Sequence, residues 1–299
     1  MPPVVTGASP ANNATNVSPS STVSFTFSKP VNVTGSAFTL QCPSGTPEAF
    51  TVAPAPPGGA TTFTLTPSAN LPADTTCTAT AVAAQIADLA GTKMAADVTI
   101  GFGVSPVATN DTYPQTVIGN VSTISGAIPY TVLTNDLRTT ATITAFDTTS
   151  ANGGAVSMTT SGAGAGQFTY NPPAGFTGTD TFTYTISSAN GSSTATVSIP
   201  VSGVVWFINN AATAGDGRLA SPFNSLAAFQ AVNDGVGRHP AANANIFLYD
   251  GASNYTGPVT LLNGQKLIGQ DATSSLSTIT GLTPRHRRRR AHRYRNRVP

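Results

Sequence analysis

The chain has 299 residues, 39% of them apolar and only 9% Asp, Glu, Lys or Arg, interleaved with 28 Gly, 23 Pro and 47 Thr. An ordinary soluble domain carries roughly 25% charge. A single Glu, no run near about 20 apolar residues, and a start (Met1-Pro2-Pro3-Val4) without charged or apolar leader segments speak against a helical bundle, a membrane span and a secretory signal.

The formal charge of +2 is the sum of two unlike parts. Residues 1–284 hold six basic against twelve acidic residues, a formal −6; residues 285–299 hold eight Arg and no acid, +8. The Thr, Val and Ser content with Gly/Pro punctuation predicts short strands and many turns.

Residues 1–104 read as a first β-sandwich. In Ser21–Ser28, Val23, Phe25 and Phe27 share one face while Ser and Thr take the other, the period-2 pattern of a half-buried strand. The runs at 37–42, 62–65 and 76–79 repeat it, separated by turn clusters at 56–59 and 71–74. Cys42 shares a face with Phe38 and Leu40, and Cys77 shares one with Ala79. If those faces point inward, both sulfurs point inward and a core disulfide is expected; the alternative is two buried thiols acting as small hydrophobes. A metal site would need more ligands, and no His precedes residue 239.

The phrase Ser9-Pro10-Ala11-Asn12-Asn13-Ala14-Thr15-Asn16-Val17, followed by Ser28-Lys29-Pro30-Val31 and later by Leu65–Thr78, resembles the bacterial Ig-like domain of S-layer proteins. The resemblance covers about residues 4–103 and implies a spacer or adhesive module without catalytic residues.

Residues 105–203 read as a second sandwich. Phe168 and Tyr170 share a face, as do Phe182, Tyr184 and Ile186, and residues 194–201 alternate through Ala195, Val197, Ile199 and Val201. Asn190-Gly191 predicts a two-residue hairpin turn. The opening Pro106–Tyr113, with Phe168–Pro172 and Gly178–Tyr184, resembles tandem cadherin-like repeats of large bacterial surface proteins. That resemblance implies a calcium site whose ligand candidates are Asp111, Asp136 and Asp180, with Asn110 and Asn135. The run after Asn135-Asp136 lacks the further acids of the family, and the other reading is that Asp111 and Asp136 cap turns.

From residue 204 the pattern changes. Val204–Ile208 is a continuous apolar run, suited to a strand buried on both faces. Residues 221–233 predict a helix with Ser221 as N-cap and Pro222 at its first position. Short apolar runs follow at 245–249, 259–262 and 266–269, with part of a further one at 277–282. Ser221–Leu226, Ile246–Tyr249, Tyr255–Val259 and Lys266–Gln270 resemble the start of a right-handed parallel β-helix of the pectate-lyase-like kind. The helix would cap its open end, and the coil pattern stops after about one turn, as in a truncated chain.

The tail, residues 285–299, switches composition abruptly. Arg285, Arg287, Arg288, Arg289, Arg290 and Arg293 suit a polyanion-binding arm, but the switch itself points to a frameshift. It is expected to be disordered, and nucleic acid is not favoured as a partner.

The expected fold is therefore all-β: two Ig-like β-sandwiches (1–104 and 105–203) followed by the capped N-terminal part of a truncated parallel β-helix (204–284). The sequence offers no catalytic residues and no cofactor apart from the calcium candidate. His239 sits alone in a loop, no G-x-S-x-G phrase is present, and Asp250 and Asp271 are isolated, whereas glycoside cleavage generally takes two carboxylates. The expected function is a non-catalytic structural or adhesive fragment of a large extracellular or cell-surface bacterial protein. It would be monomeric, with cell-surface glycans or proteins as partners. The alternatives are the front of a β-helix carbohydrate-active enzyme without its catalytic rungs and a polyanion-binding protein.

Overall fold

A computed structural model describes residues 1–125 and 130–282. The chain forms two compact units. One comprises Met1–Thr109, Asn135–Ala145 and Tyr184–Ala195; the other comprises Asn110–Thr134, Phe146–Thr183 and the chain from Thr196 onward.

In the first unit, β1 (Val5–Ser9), β3 (Val23–Val33), β6 (Gly58–Pro67) and β5 (Phe50–Ala53) form one sheet in that order, with β8 (Ile86–Asp88) also on β3. The second sheet runs β2 (Ala14–Val17), β9 (Val98–Val104), β7 (Thr75–Ala81) and β4 (Phe38–Gln41). The predicted alternation is realised. Val23, Phe25, Phe63, Leu65 and Ile86 from one sheet meet Leu40, Cys77, Ala79 and Phe102 from the other in one buried core. Phe25 and Phe38 stack at 5.7 Å between ring centroids, and Phe63 lies 5.7 Å from Phe38. Such pairs add about 0.5–1.5 kcal/mol beyond the area they bury. Thr and Ser on the outer faces pair across strands, as in Thr80–Thr99 at 2.8 Å.

In the second unit, β10 (Asp111–Thr112) and β11 (Val117–Gly119) run parallel to the long strand β17 (Gly191–Ile208). A separate sheet runs β12 (Thr123–Ile124), β15 (Phe168–Asn171) and β14 (Ala155–Met158). Strands β13 (Thr142–Phe146) and β16 (Gly178–Ser188) precede β17 in the remaining sheet and, like it, have residues in both units. Phe168 packs edge-on against Tyr113 and Phe182, which gives this unit its aromatic core. The hairpin joining β16 and β17 turns on Ala189 and Asn190, one residue earlier than predicted, and Gly191 opens β17 at φ 137°.

The largest departure from the sequence expectation is at residue 203. The boundary predicted there falls inside β17, which continues unbroken to Ile208. Gly203 adopts φ 71°, and the ladder slips from Val117–Val201 to Gly119–Val204, so that one extra residue is absorbed as a bulge. Beyond the bulge the strand is buried on both faces, as the apolar run predicts. Trp206 and Ile208 pack with Phe223, Phe229 and Ile246, while Val205 and Phe207 pack with Ile118.

Strand β17 then carries a parallel, in-register stack. Val205–Ile208 pairs with β18 (Asn245–Leu248), which pairs with β19 (Lys266–Gly269). Trp206, Ile246 and Leu267 align in one row, and Phe207, Phe247 and Ile268 in the next.

Three local predictions in this region are corrected. The helix expected over 221–233 is only α1 (Leu226–Gln230), capped by Ser225, whose side chain accepts from the Ala228 N–H. Pro222 and Phe223 are instead extended: Phe223 bridges to Ile208, and its ring stacks on Trp206 at 5.9 Å. Burial of that ring outweighs the helix-start signal. No strand forms at 259–262, because side-chain amides take its backbone groups. Gln230 Oε1 accepts from Thr260 N, Gln265 Oε1 accepts from Leu262 N, and Asn233 Nδ2 donates to Thr260 O. Finally, residues 277–282 are not a further rung. They fall in and after α2 (Leu276–Thr280), which Ser275 caps and Gly281, at φ 71°, closes. Among the described residues, no helix is long and apolar enough to cross a membrane.

Candidate functional site

Cys42 and Cys77 are joined, with Cα atoms 4.4 Å apart. They lie one step beyond the Gln41–Thr78 pair of the β4–β7 ladder, and both are buried in the core of the first unit. The period-2 faces of the two strands place both sulfurs inward, so the disulfide replaces the pair of buried thiols left open by the sequence.

The three carboxylates proposed for calcium are not gathered into one site. Among the described residues, no group of three or more His, Cys, Asp or Glu side chains is placed to hold a metal ion. Asp180, fully buried at the start of β16, accepts from Ser150 Oγ (2.5 Å) and Tyr170 Oη (2.7 Å) through one oxygen. Its other oxygen accepts from the Asn152 and Thr181 N–H groups at 2.9 and 2.8 Å. Burial raises its pKa, but the Ser150 and Tyr170 hydroxyls and the Asn152 donors outweigh burial and hold the carboxyl below its ordinary value. Burial and this same carboxylate push the Tyr170 hydroxyl well above the usual phenol range. Asp111 accepts from the Tyr130 hydroxyl at 3.3 Å. Asn110 accepts from Thr196 N, and Asn135 donates to the Thr109 carbonyl.

Asp136 differs in sign. It accepts from Thr109 N at 2.8 Å and from the Tyr184 hydroxyl at 2.9 Å, yet burial raises its pKa more than these bonds lower it. The folded state therefore binds this proton more tightly than the unfolded chain. The resulting stabilisation is complete below the unfolded value near 3.9 and is lost as pH rises through the folded value. Asp136→Asn is accordingly expected to unfold at the same or a higher temperature than the parent at pH 7, with the gap closing at pH 4. A clear drop in the variant's melting temperature at pH 7, together with a calcium-dependent rise seen in the parent and not in the variant, would instead make Asp136 a metal ligand.

Asp74, which sequence reasoning passed over as part of a turn, is the most heavily bonded acid in the first unit. It is 2% exposed and sits at φ 54°. One carboxylate oxygen accepts from three successive backbone groups, Thr139, Thr140 and Ala141 N–H, a backbone nest of the kind that binds anions. The other accepts from the Ser188 hydroxyl and from Asn190 Nδ2. Burial raises the pKa, but Ser188 and the nest together bring it far below the ordinary range.

His239, in an exposed loop as predicted, meets only a neighbouring carboxylate, Nδ1 lying 2.8 Å from Asp234 Oδ1. Arg218 pairs with Asp216 at 2.8 Å. The second unit also holds a cleft of about 690 Å³ walled by Phe207, Phe247, Tyr249, Ile268 and Leu276. The Phe247 and Tyr249 rings meet edge-on at 5.0 Å, and burial raises the Tyr249 pKa. The sequence signal for this cleft was the apolar 245–249 run, read there only as a short run of a β-helix coil. Arg285, Arg287, Arg288, Arg289, Arg290 and Arg293 lie outside the described residues.

Residues 1–104 match the family model described as a bacterial Ig-like domain, and residues 104–200 match a second model, described as a bacterial Ig domain. The chain carries two bacterial Ig-like domains. The second match agrees with the Ig-like sandwich expected over 105–203, names an Ig domain and not a cadherin-like repeat, and ends at residue 200. No curated protein matches the chain significantly. Among solved structures, the N-terminal part of the bacterial S-layer protein SbsC is 17% identical, over 68% of this chain and 44% of that one, with a TM-score of 0.26. The LD-transpeptidase LdtMt1 in complex with imipenem is 22% identical over 36% of this chain and 44% of that one, TM-score 0.22. The titin I-band fragment I67–I69 is 13% identical over 70% and 71%, TM-score 0.27. The chain thus spans less than half of the first solved structures it matches, and scores this low bear on no functional argument.

Proposed function

We propose that the two Ig-like domains are non-catalytic spacers of a bacterial cell-surface or secreted protein that present the region after residue 204. The observation that carries this reading is the pair of consecutive Ig-like matches across residues 1–200. Low charge, Thr-rich outer strand faces and a buried disulfide accord with an exterior, oxidising location. We further read residues 204–282 as the first coil of a parallel β-helix. The in-register β17–β18–β19 stack supports it, since stacked parallel strands with aligned apolar rows are how such coils bury their interior. Its ligands would be cell-surface glycans or proteins.

Fractionation of cells producing the gene product, with an antibody against residues 1–200, tests the location. Recovery in the envelope or medium is expected, and recovery confined to the cytosol would overturn the reading. Purified protein is expected to release no product from pectate or related polysaccharides, and measurable turnover would favour the carbohydrate-active alternative.

A further inference from the structure

We propose that Asp74 and Gly103 form a docking notch on the first Ig-like domain that clasps the β16–β17 hairpin of the second matched region, a latch that holds the hairpin tip and the 139–141 turn to the first sandwich. All the contacts lie within the first compact unit, which takes in Asn135–Ala145 and Tyr184–Ala195 from the second matched region. Four observations converge on the hairpin tip. The Asp74 carboxylate holds the 139–141 nest with one oxygen and Ser188 and Asn190 with the other. The Thr76 hydroxyl donates to Asn190 Oδ1 at 2.9 Å. Asn16 N donates to the Asn190 carbonyl at 2.9 Å, and Asn16 Oδ1 accepts from Ser192 N at 2.7 Å.

The fourth is steric. A Cβ at Gly103 would lie 2.8 Å from the Asn190 Cα, and one at Gly191 would lie 2.2 Å from Asn16 Oδ1. Gly103 points away from the sandwich core between buried Phe102 and Val104, yet it is itself buried, because the hairpin covers it. A freely jointed tandem would leave a solvated polar side chain at such a position. An acid with every carboxylate bond directed to the neighbouring matched region is a strong tie, because bonds to an ionised acceptor are about twice as strong as neutral ones. The latch does not depend on where in the cell the protein works.

Hydrogen exchange read by mass spectrometry on the full chain tests it, using Asp74→Asn and, separately, Gly103→Val. The second variant wedges the notch without touching the carboxylate. Both are expected to speed exchange in peptides covering 138–142 and 188–192 by at least about tenfold, the loss of one charge-assisted hydrogen bond. Core peptides of β3 and β6 should exchange as in the parent. Limited proteolysis should then cut within 104–110, where the parent resists. Unchanged exchange at 138–142 and 188–192 in both variants would overturn the latch. Uniform loss of protection throughout 1–104 in both would also overturn it, by making these residues part of the first sandwich's own stability.

Discussion

Asp180→Ala lowers the unfolding free energy of the second unit by about 3–5 kcal/mol. Removing this carboxylate strands the Ser150 and Tyr170 hydroxyls and the Asn152 and Thr181 N–H groups around it. Each buried donor left without an acceptor costs roughly 1–3 kcal/mol. Trp206, the single tryptophan of the chain, lies in this unit, so urea unfolding followed by its fluorescence reads the effect directly. The folded pKa of Asp180 lies below its unfolded value, so its contribution is present above about pH 4 and is lost as pH falls through the folded value. The variant should therefore show a flatter acid limb than the parent. A cost under about 1 kcal/mol would mean that water satisfies these donors as well as the carboxylate does. A calcium-dependent rise in the stability of the parent that the variant lacks would return Asp180 to the ligand role implied by the family resemblance.

The second large effect belongs to the disulfide. Cys42 and Cys77 are separated by 35 residues, and closing a loop of that length restricts the unfolded chain by about 4 kcal/mol in the chain-entropy account. The Cys42→Ala/Cys77→Ala double variant is expected to lose about that much, with the buried alanines adding a small packing cost. Far-UV circular dichroism is the suitable probe, because Trp206 does not report on the first unit. The urea midpoint should drop and the slope should rise somewhat, because the unfolded chain without the cross-link is less compact. A double variant as stable as the parent would show that the reduced sandwich already holds both strands in place through packing alone.

These effects come from groups of different visibility in the sequence. The disulfide was legible because period-2 alternation puts Cys42 with Phe38 and Leu40, and a strand has only two faces. The strands β3, β4, β6, β7, β15 and β16 and the 194–201 stretch of β17 were legible for the same reason. The acids were not. Asp74 and Asp136 sit in short polar phrases that sequence alone reads as turns, Asp180 in the phrase that opens a strand, and the pKa shifts, downward for Asp74 and Asp180 and upward for Asp136, depend on which groups the fold brings to each. Asp74 finds three successive N–H groups about 65 residues away along the chain, a separation that no local pattern encodes. Ser221-Pro222 carried a genuine helix-start signal, but the gain from stacking Phe223 on Trp206 moved the cap to Ser225. At 259–262 the apolar run was real, yet the side-chain amides of Gln230, Asn233 and Gln265 took the backbone bonds that a strand would have needed.

By itself, then, the sequence determined the all-β class, the two Ig-like regions, the Cys42–Cys77 pairing faces and the change of pattern at residue 204, because each is written in local alternation, turn chemistry and motif phrases. Only the tertiary structure decided that β17 runs through that change without a break, that Asp180 and Asp74 serve as internal anions for backbone and hydroxyl donors, and that Gly103 is buried under a hairpin. Those outcomes rest on contacts between residues far apart in the chain, where the cost of stranding a buried donor or displacing an aromatic ring overrides what any short window prefers.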